Sequence, residues 1–362
     1  MTLPAPWRRI ALAAALLLSA ACDNAPDETA AAPGLSPDHP SPHLNLAQAN
    51  AERSSADWAS WQQQVPGIAR VEIPSSLDDT TQTALFHAPD AAEDRPLLIV
   101  LHSWAADYRE RLGIPLAQFA VANGWAYLQP NFRGPNDGRA ESTASEEVLA
   151  DLDDALAFAQ EHARVDASRV YLLGYSGGGM NALHFAARHP ERFAGVTAWV
   201  PVYDLVSWYQ WNRDRQRRFA TDIERVCGGP PVERGRAYTE CVKRSPRAYV
   251  PKAAGEMRVL IAHGIDDDTV PPDQGLLAFN DLAQAEDRVS EAQVAELMRT
   301  RQVPATLAAR DGQGPAERAR FAEAGGEVLL QLRSGPAELV LFRGGHELFF
   351  RPALDWLARQ QR

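Results

Sequence analysis

Gly174-Tyr175-Ser176-Gly177-Gly178 follows the apolar run Val170-Tyr171-Leu172-Leu173 and precedes Met180-Asn181-Ala182-Leu183-His184-Phe185-Ala186-Ala187. That text reads as a strand, a sharp turn and a helix built around one serine. A G-x-S-x-G turn holds its serine at a strained backbone angle, and small neighbours are needed because a side chain two places away would strike the adjoining strand or helix. The strain lifts the hydroxyl clear of the sheet. The following helix brings its N-terminus to the serine, so the backbone N–H of Gly177 is a ready donor to an oxyanion. Tyr175, beside the serine, is expected on the substrate side.

A serine in this setting takes a base and an acid from later in the chain, in the order Ser, Asp or Glu, His. Arg258 to Ala262 reads as a buried strand running into His263-Gly264-Ile265-Asp266-Asp267-Asp268-Thr269-Val270-Pro271, where three adjacent carboxylates compete for the acid's role. Glu338 to Phe342 reads as a last strand. It is followed by Arg343-Gly344-Gly345-His346-Glu347 and an amphipathic helix from near Pro352. His346 is the candidate base, since two glycines allow its loop to approach the serine closely. His184 and His189 lie on or just after the serine helix, His162 ends a helix, His87 sits on an early strand, and His39 and His43 fall in Pro-rich text. No histidine pair has the spacing of a zinc site, and no G-x-G-x-x-G or Walker loop occurs. The reading therefore includes no metal and no cofactor. A second oxyanion donor is expected from the loop His102-Ser103-Trp104-Ala105 after the strand Pro96 to Leu101, where Ser103 stands in a position at which many hydrolases carry glycine. The backbone N–H of Trp104 is the candidate, with its indole N–H second.

Strand and helix text alternates along the chain, which predicts an α/β fold with a mostly parallel central sheet and helices on both faces. Glu146 to Ala163 has apolar residues at helical spacing and reads as a surface helix feeding the serine's strand. Residues 203 to 250 break the rhythm. They carry Tyr203, Trp208, Tyr209, Trp211, Tyr238 and Tyr249 with a run of arginines, and read as an inserted cap whose rings, Trp208 among them, face substrate or form the cap's own core. Residues 280 to 335 read as a solvated helix over Glu291 to Arg301, with no chemistry in it, and then as loops.

With Ser176, the acidic loop and His346 in order, and Asn131-Phe132-Arg133-Gly134-Pro135-Asn136-Asp137-Gly138 after the next strand, the chain resembles the prolyl oligopeptidase type of α/β-hydrolase over about residues 95 to 360. The resemblance implies the α/β-hydrolase fold and a Ser-His-Asp triad. Its usual His-Gly-x-x-Asp pattern before a Val-Pro turn selects Asp267 as the acid. Arg133, in the Asn-aromatic-Arg-Gly turn that members often carry, is expected either to hold a substrate carboxylate or to pin its own turn. The chain departs from the family in two places. Trp104 occupies the loop of the family's oxyanion tyrosine, and about seventy residues separate the signal segment from the first central strand, where larger members carry a β-propeller. An ester is therefore the expected substrate, an acylated glycan being one form, with short peptides as the alternative. A catalytically silent ligand-binding lipoprotein is the alternative from another class.

The 362 residues, 45% hydrophobic, suffice for one large catalytic domain, expected over 56–362. Trp7-Arg8-Arg9, the apolar run Ile10 to Leu18 and Ser19-Ala20-Ala21-Cys22 read as a signal segment, 1–21, before a lipidated Cys22. Residues 22–55, Ala- and Pro-rich, read as an unfolded tether. The expected location is a bacterial periplasm, on a membrane through the lipid, with Asp23 favouring the inner one. Without Arg8 and Arg9, 34 basic residues face 47 acidic ones, a balance of −13 that argues against nucleic acid as a partner. In an oxidising compartment Cys227 and Cys241 remain to pair with each other.

Overall fold

Leu97 to Leu101 and Val170 to Leu173 are continuous apolar runs, and each becomes a strand buried on both faces. Such runs are what a sheet covered by helices on two sides demands. The structure, a computed structural model, describes residues 43–45, 56–312 and 314–362. The expected signal segment, Cys22 and most of the tether lie outside the described residues. In chain order the strands are β1 (His43–Asn45), β2 (Ala69–Pro74), β3 (Thr81–His87), β4 (Arg95–Leu101), β5 (Ala126–Pro130) and β6 (Val165–Tyr175). They continue as β7 (Gly195–Trp199), β8 (Val259–Gly264), β9 (Glu327–Ser334), β10 (Ala337–Arg343) and β11 (Glu347–Phe349).

Among the described residues the main sheet has nine strands in the order β2-β3-β5-β4-β6-β7-β8-β10-β9. From β5 to β10 neighbours are parallel, while β2, β3 and β9 are antiparallel additions at the two edges. Side chains alternate along β4 and divide the core. Leu97, Ile99 and Leu101 pack with the helices Glu146–His162, Gly177–Arg188 and Asp273–Leu282, whereas Leu98 and Val100 pack with Gly113–Ala122 and Phe350–Ala358. The α/β-hydrolase fold read from the sequence is the fold observed. Glu146–His162 is capped by Ser145, whose hydroxyl accepts the Val148 N–H, and Glu146 and Glu147 lie in its first turn, where carboxylates favour the helix dipole.

Two readings need correction. Residues 327–334, expected as loop, form the edge strand β9, with Val328, Leu330 and Leu332 buried against the sheet. Residues 43–45, within the stretch expected to stay unfolded, pair as β1 with β11, next in sequence to His346. The insertion between β7 and β8 consists mainly of the helices Leu205–Asp214, Arg218–Cys227 and Arg236–Arg244. Its core holds Trp208, Tyr209, Ile223 and Val226 beside the disulfide Cys227–Cys241. The two cysteines are 14 residues apart in sequence, so the bridge contributes about 3 kcal/mol by limiting the unfolded chain.

Candidate active site

Ser176 follows β6 and precedes the helix Gly177–Arg188, with φ 55° and ψ −122°, a conformation that L-residues avoid. Two neighbours make it possible. A Cβ on Gly174 would lie 2.2 Å from the Gly178 carbonyl oxygen, and one on Gly178 would lie 2.2 Å from that of Leu101, so neither position admits a side chain. The turn is held by the Ser176 N–H donating to the Trp199 carbonyl at 2.8 Å and by the Met180 N–H donating to the Ser176 carbonyl at 3.1 Å.

His346 Nε2 lies 2.9 Å from Ser176 Oγ, and its Nδ1 lies 2.7 Å from Asp267 Oδ2. Because a carboxylate only accepts, Nδ1 carries the proton and Nε2 is free to accept the serine hydroxyl. Asp267 is fully buried, and its Oδ1 accepts the N–H groups of Thr269 and Val270 at 2.8 and 3.0 Å. Burial by itself would raise the Asp267 pKa. The neighbouring His346 charge and hydrogen bonds with His263 and His346 outweigh it and hold the carboxyl well below the usual range. Asp266 and Asp268 face solvent, and Asp268 pairs with Arg217 of the cap. Backbone geometry thus distinguishes three carboxylates that composition left equivalent.

The acid's loop is supported from residues that the sequence did not mark. Arg301, expected at the end of a helix without chemistry, reaches the carbonyls of Ile265 and Asp267 at 3.1 and 3.4 Å. His263 Nε2 donates to the Val270 carbonyl at 2.9 Å and lies 3.5 Å from Asp267 Oδ2. The cap adds the Trp211 indole N–H, which donates to the Asp268 carbonyl at 3.2 Å. A lone arginine after an amphipathic helix carries no local signal for such a contact. The His-Gly pair before the acids was the only visible hint.

Opposite the relay, the loop after β4 lies against the start of the serine helix. A Cβ on Gly177 would be 2.7 Å from the Trp104 backbone nitrogen, so the N–H groups of Trp104 and Gly177 belong to closely apposed backbones. The Gly177 N–H opens a helix and has no intrahelical acceptor. The Trp104 ring is buried in the cap's core, edge-on to Trp208 at 4.8 Å and near Phe219 at 6.3 Å. Phe219, half-buried, was not singled out from sequence. Its amphipathic helix was the available signal.

Three expected substrate contacts are placed elsewhere. Tyr175 is fully buried and points beneath the turn, its hydroxyl donating to Glu110. Alternation along β6 turns it to the face opposite its neighbours. Trp208 is buried, its indole N–H donating to the Thr269 carbonyl at 3.0 Å, and so ties the cap to the acid's loop. Arg133 is buried too. It grips Asp151 through Nε at 2.6 Å and Nη2 at 2.9 Å, and Asp78 through Nη1 at 2.8 Å, which leaves it neither on substrate nor on its own turn.

A family model described as the prolyl oligopeptidase family matches residues 115–297, just over half of the chain. The chain belongs to the prolyl oligopeptidase family. The matched residues hold Ser176 and Asp267 and end before His346. Among curated proteins, one from Nocardia uniformis subsp. tsuyamanensis, named "Putative esterase NocK", is 39% identical over 117 residues, 31% of this chain and 34% of that one. One from Bacillus subtilis (strain 168), named "Uncharacterized peptidase YtmA", is 27% identical over 169 residues, 47% of this chain and 62% of that one. The alignments thus span less than two thirds of either relative. A solved prolyl endopeptidase structure shares the fold at a TM-score of 0.50 and 19% identity, covering 65% of this chain and 35% of that one.

Proposed function

We propose that this member of the prolyl oligopeptidase family is a serine hydrolase that works through an acyl-enzyme on Ser176. The observation that carries the reading is the unbroken relay of 2.9 and 2.7 Å from Ser176 Oγ through His346 to a buried Asp267. Ser176 Oγ attacks the substrate carbonyl carbon as His346 Nε2 takes its proton. Asp267 steadies the resulting imidazolium, and the N–H groups of Gly177 and Trp104 receive the oxyanion. His346 then protonates the leaving group, and water repeats the sequence to free the acid.

We favour an ester as the substrate, supported by the likeness to NocK and by an aromatic cap against the oxyanion loop. An acylated glycan is one such ester. Short peptides are the second reading, supported by the family and by YtmA. The test is fluorophosphonate labelling with turnover of p-nitrophenyl esters and of aminoacyl and prolyl anilides, using Ser176→Ala as blank. Ester turnover without anilide turnover supports the first reading, and efficient anilide cleavage supports the second. Wild-type protein that neither labels nor turns over would leave the silent-binder reading standing. We further propose lipid attachment at Cys22 on the periplasmic side of a bacterial membrane, on the sequence pattern alone; labelled palmitate that still enters a Cys22→Ser variant would refute it.

A further inference from the structure

The oxyanion loop and the serine turn meet at one buried carboxylate. Glu110 is 1% exposed. Its Oε2 accepts the Ser103 N–H at 2.8 Å and the Tyr175 hydroxyl at 2.5 Å, while its Oε1 accepts the Ser103 hydroxyl at 2.5 Å. Ser103 precedes Trp104, and Tyr175 precedes Ser176. One side chain therefore grips the residue before the Trp104 donor and the residue before the nucleophile, two places ahead of the Gly177 donor. Glu110 is itself fixed from below. Its N–H donates to the Asp107 carbonyl and its carbonyl accepts the Gly113 N–H, both at 3.0 Å. Gln129 Nε2 reaches the Tyr108 carbonyl at 2.8 Å and the Glu110 carbonyl at 3.5 Å.

This arrangement gives Ser103 and Tyr175 their use. A serine where glycine is usual supplies a hydroxyl as well as an N–H to the carboxylate, so the Ser103–Trp104 peptide is held at two points. Tyr175, absent from the substrate side, anchors the other half. Burial pushes the Glu110 carboxyl up and outweighs the hydrogen bonds from Ser103 and Tyr175 that pull it down, so it lies above the usual carboxylate range. An oxyanion donor acts over a narrow range, about 2.7–3.1 Å from the oxygen, so a shift of a few tenths of an ångström between the two halves removes much of the stabilisation. We propose that Glu110 is a positioning residue that locks the Trp104 N–H to the Gly177 N–H at the spacing the tetrahedral oxyanion requires. It touches no substrate, and the proposal rests on the Ser176 reading above.

The experiment compares Glu110→Ala, Glu110→Gln, Tyr175→Phe and Ser103→Ala in hydrolysis of p-nitrophenyl butyrate, with the inhibition constant of phenylboronic acid as a probe of tetrahedral geometry. Fluorophosphonate titration counts the active sites. Glu110→Ala should lower kcat per titrated site about 100-fold with KM within about threefold, and raise the boronate constant by a similar factor. Glu110→Gln should restore most of the rate, since its carbonyl accepts from Ser103 N–H and Tyr175 while its amide donates to the Ser103 hydroxyl. Tyr175→Phe and Ser103→Ala each cut one bond and should lose about fivefold to tenfold in kcat, and they carry the test should Glu110→Ala not fold. A residue serving only stability would reduce the number of titrated sites and leave the boronate constant of the survivors at the wild-type value, which overturns the proposal. Failure of the underlying reading shows separately, as turnover or labelling that survives Ser176→Ala.

Discussion

Gly177→Ala tests the proposed oxyanion geometry with a single methyl group. The new Cβ would stand 2.7 Å from both the backbone nitrogen and the Cα of Trp104 and 3.1 Å from its Cβ. Ordinary contact begins near 3.4 Å, so the two backbones must part by about 0.7 Å. The atoms met are mainly backbone, and Ser103 is tied to Glu110, so no flexible side chain absorbs the movement. That separation exceeds the roughly 0.4 Å range over which an oxyanion donor is effective, and one donor is lost. The cost is about 3 kcal/mol in the transition state, a fall of about 100-fold in kcat with KM nearly unchanged. Stopped-flow acylation with a p-nitrophenyl ester reads this directly, and thermal unfolding checks that the variant is folded. A folded Gly177→Ala enzyme acylating within threefold of wild type would falsify the assignment of Trp104 and Gly177 as paired donors.

Asp267 and its neighbour Asp268 should separate cleanly in the same assay: Asp267→Asn should cost about 10⁴-fold in kcat, whereas Asp268→Asn, which loses exposed pairs with Arg215 and Arg217, should stay within about threefold. Equal losses would move the acid's role. Arg133→Ala leaves the buried Asp151 without its charged partner, with only the Ser75 hydroxyl still donating to it, and should lower stability by about 3–5 kcal/mol in urea unfolding while leaving KM unchanged; a raised KM in folded protein would return Arg133 to the substrate side. Asp273 has its pKa pushed up to about 6 by burial, against the pull of His263 and Arg301. The native state there holds its proton more tightly than the unfolded chain, so this group lowers stability as pH rises from about 4 to about 6. Asp273→Asn should therefore gain about 3 kcal/mol relative to wild type at pH 8 and little at pH 4, and an equal effect in urea unfolding at both values would contradict the cause.

The elbow, the acid's loop and the His346 loop were legible because each is local. Strand, special turn and helix follow one another within a few residues, and glycine records where a side chain cannot fit. The insertion at 203–250 was legible as a break in the strand and helix rhythm. β9 was not, because it lies at the sheet edge behind Gly- and Ala-rich text, where its alternation of Val328, Leu330 and Leu332 is short. Arg133 misled for a different reason. Its turn resembles the Asn-aromatic-Arg-Gly turn of the family, and only the folded chain brings Asp78 and Asp151 to its guanidinium.

By itself the sequence determined the fold class, the serine at its strained turn and the histidine that follows the last central strand, since these rest on periodicity and on steric limits acting between near neighbours. The resemblance had already selected Asp267 among the three adjacent carboxylates; tertiary structure alone decided that Tyr175 points under the sheet's end, and that Glu110 gathers Ser103 and Tyr175 across a separation of 72 residues. Those outcomes depend on hydrogen bonds between groups far apart in the chain, whose partners have the same composition whether or not they meet. Packing brings them within 3 Å, and no local pattern records that distance.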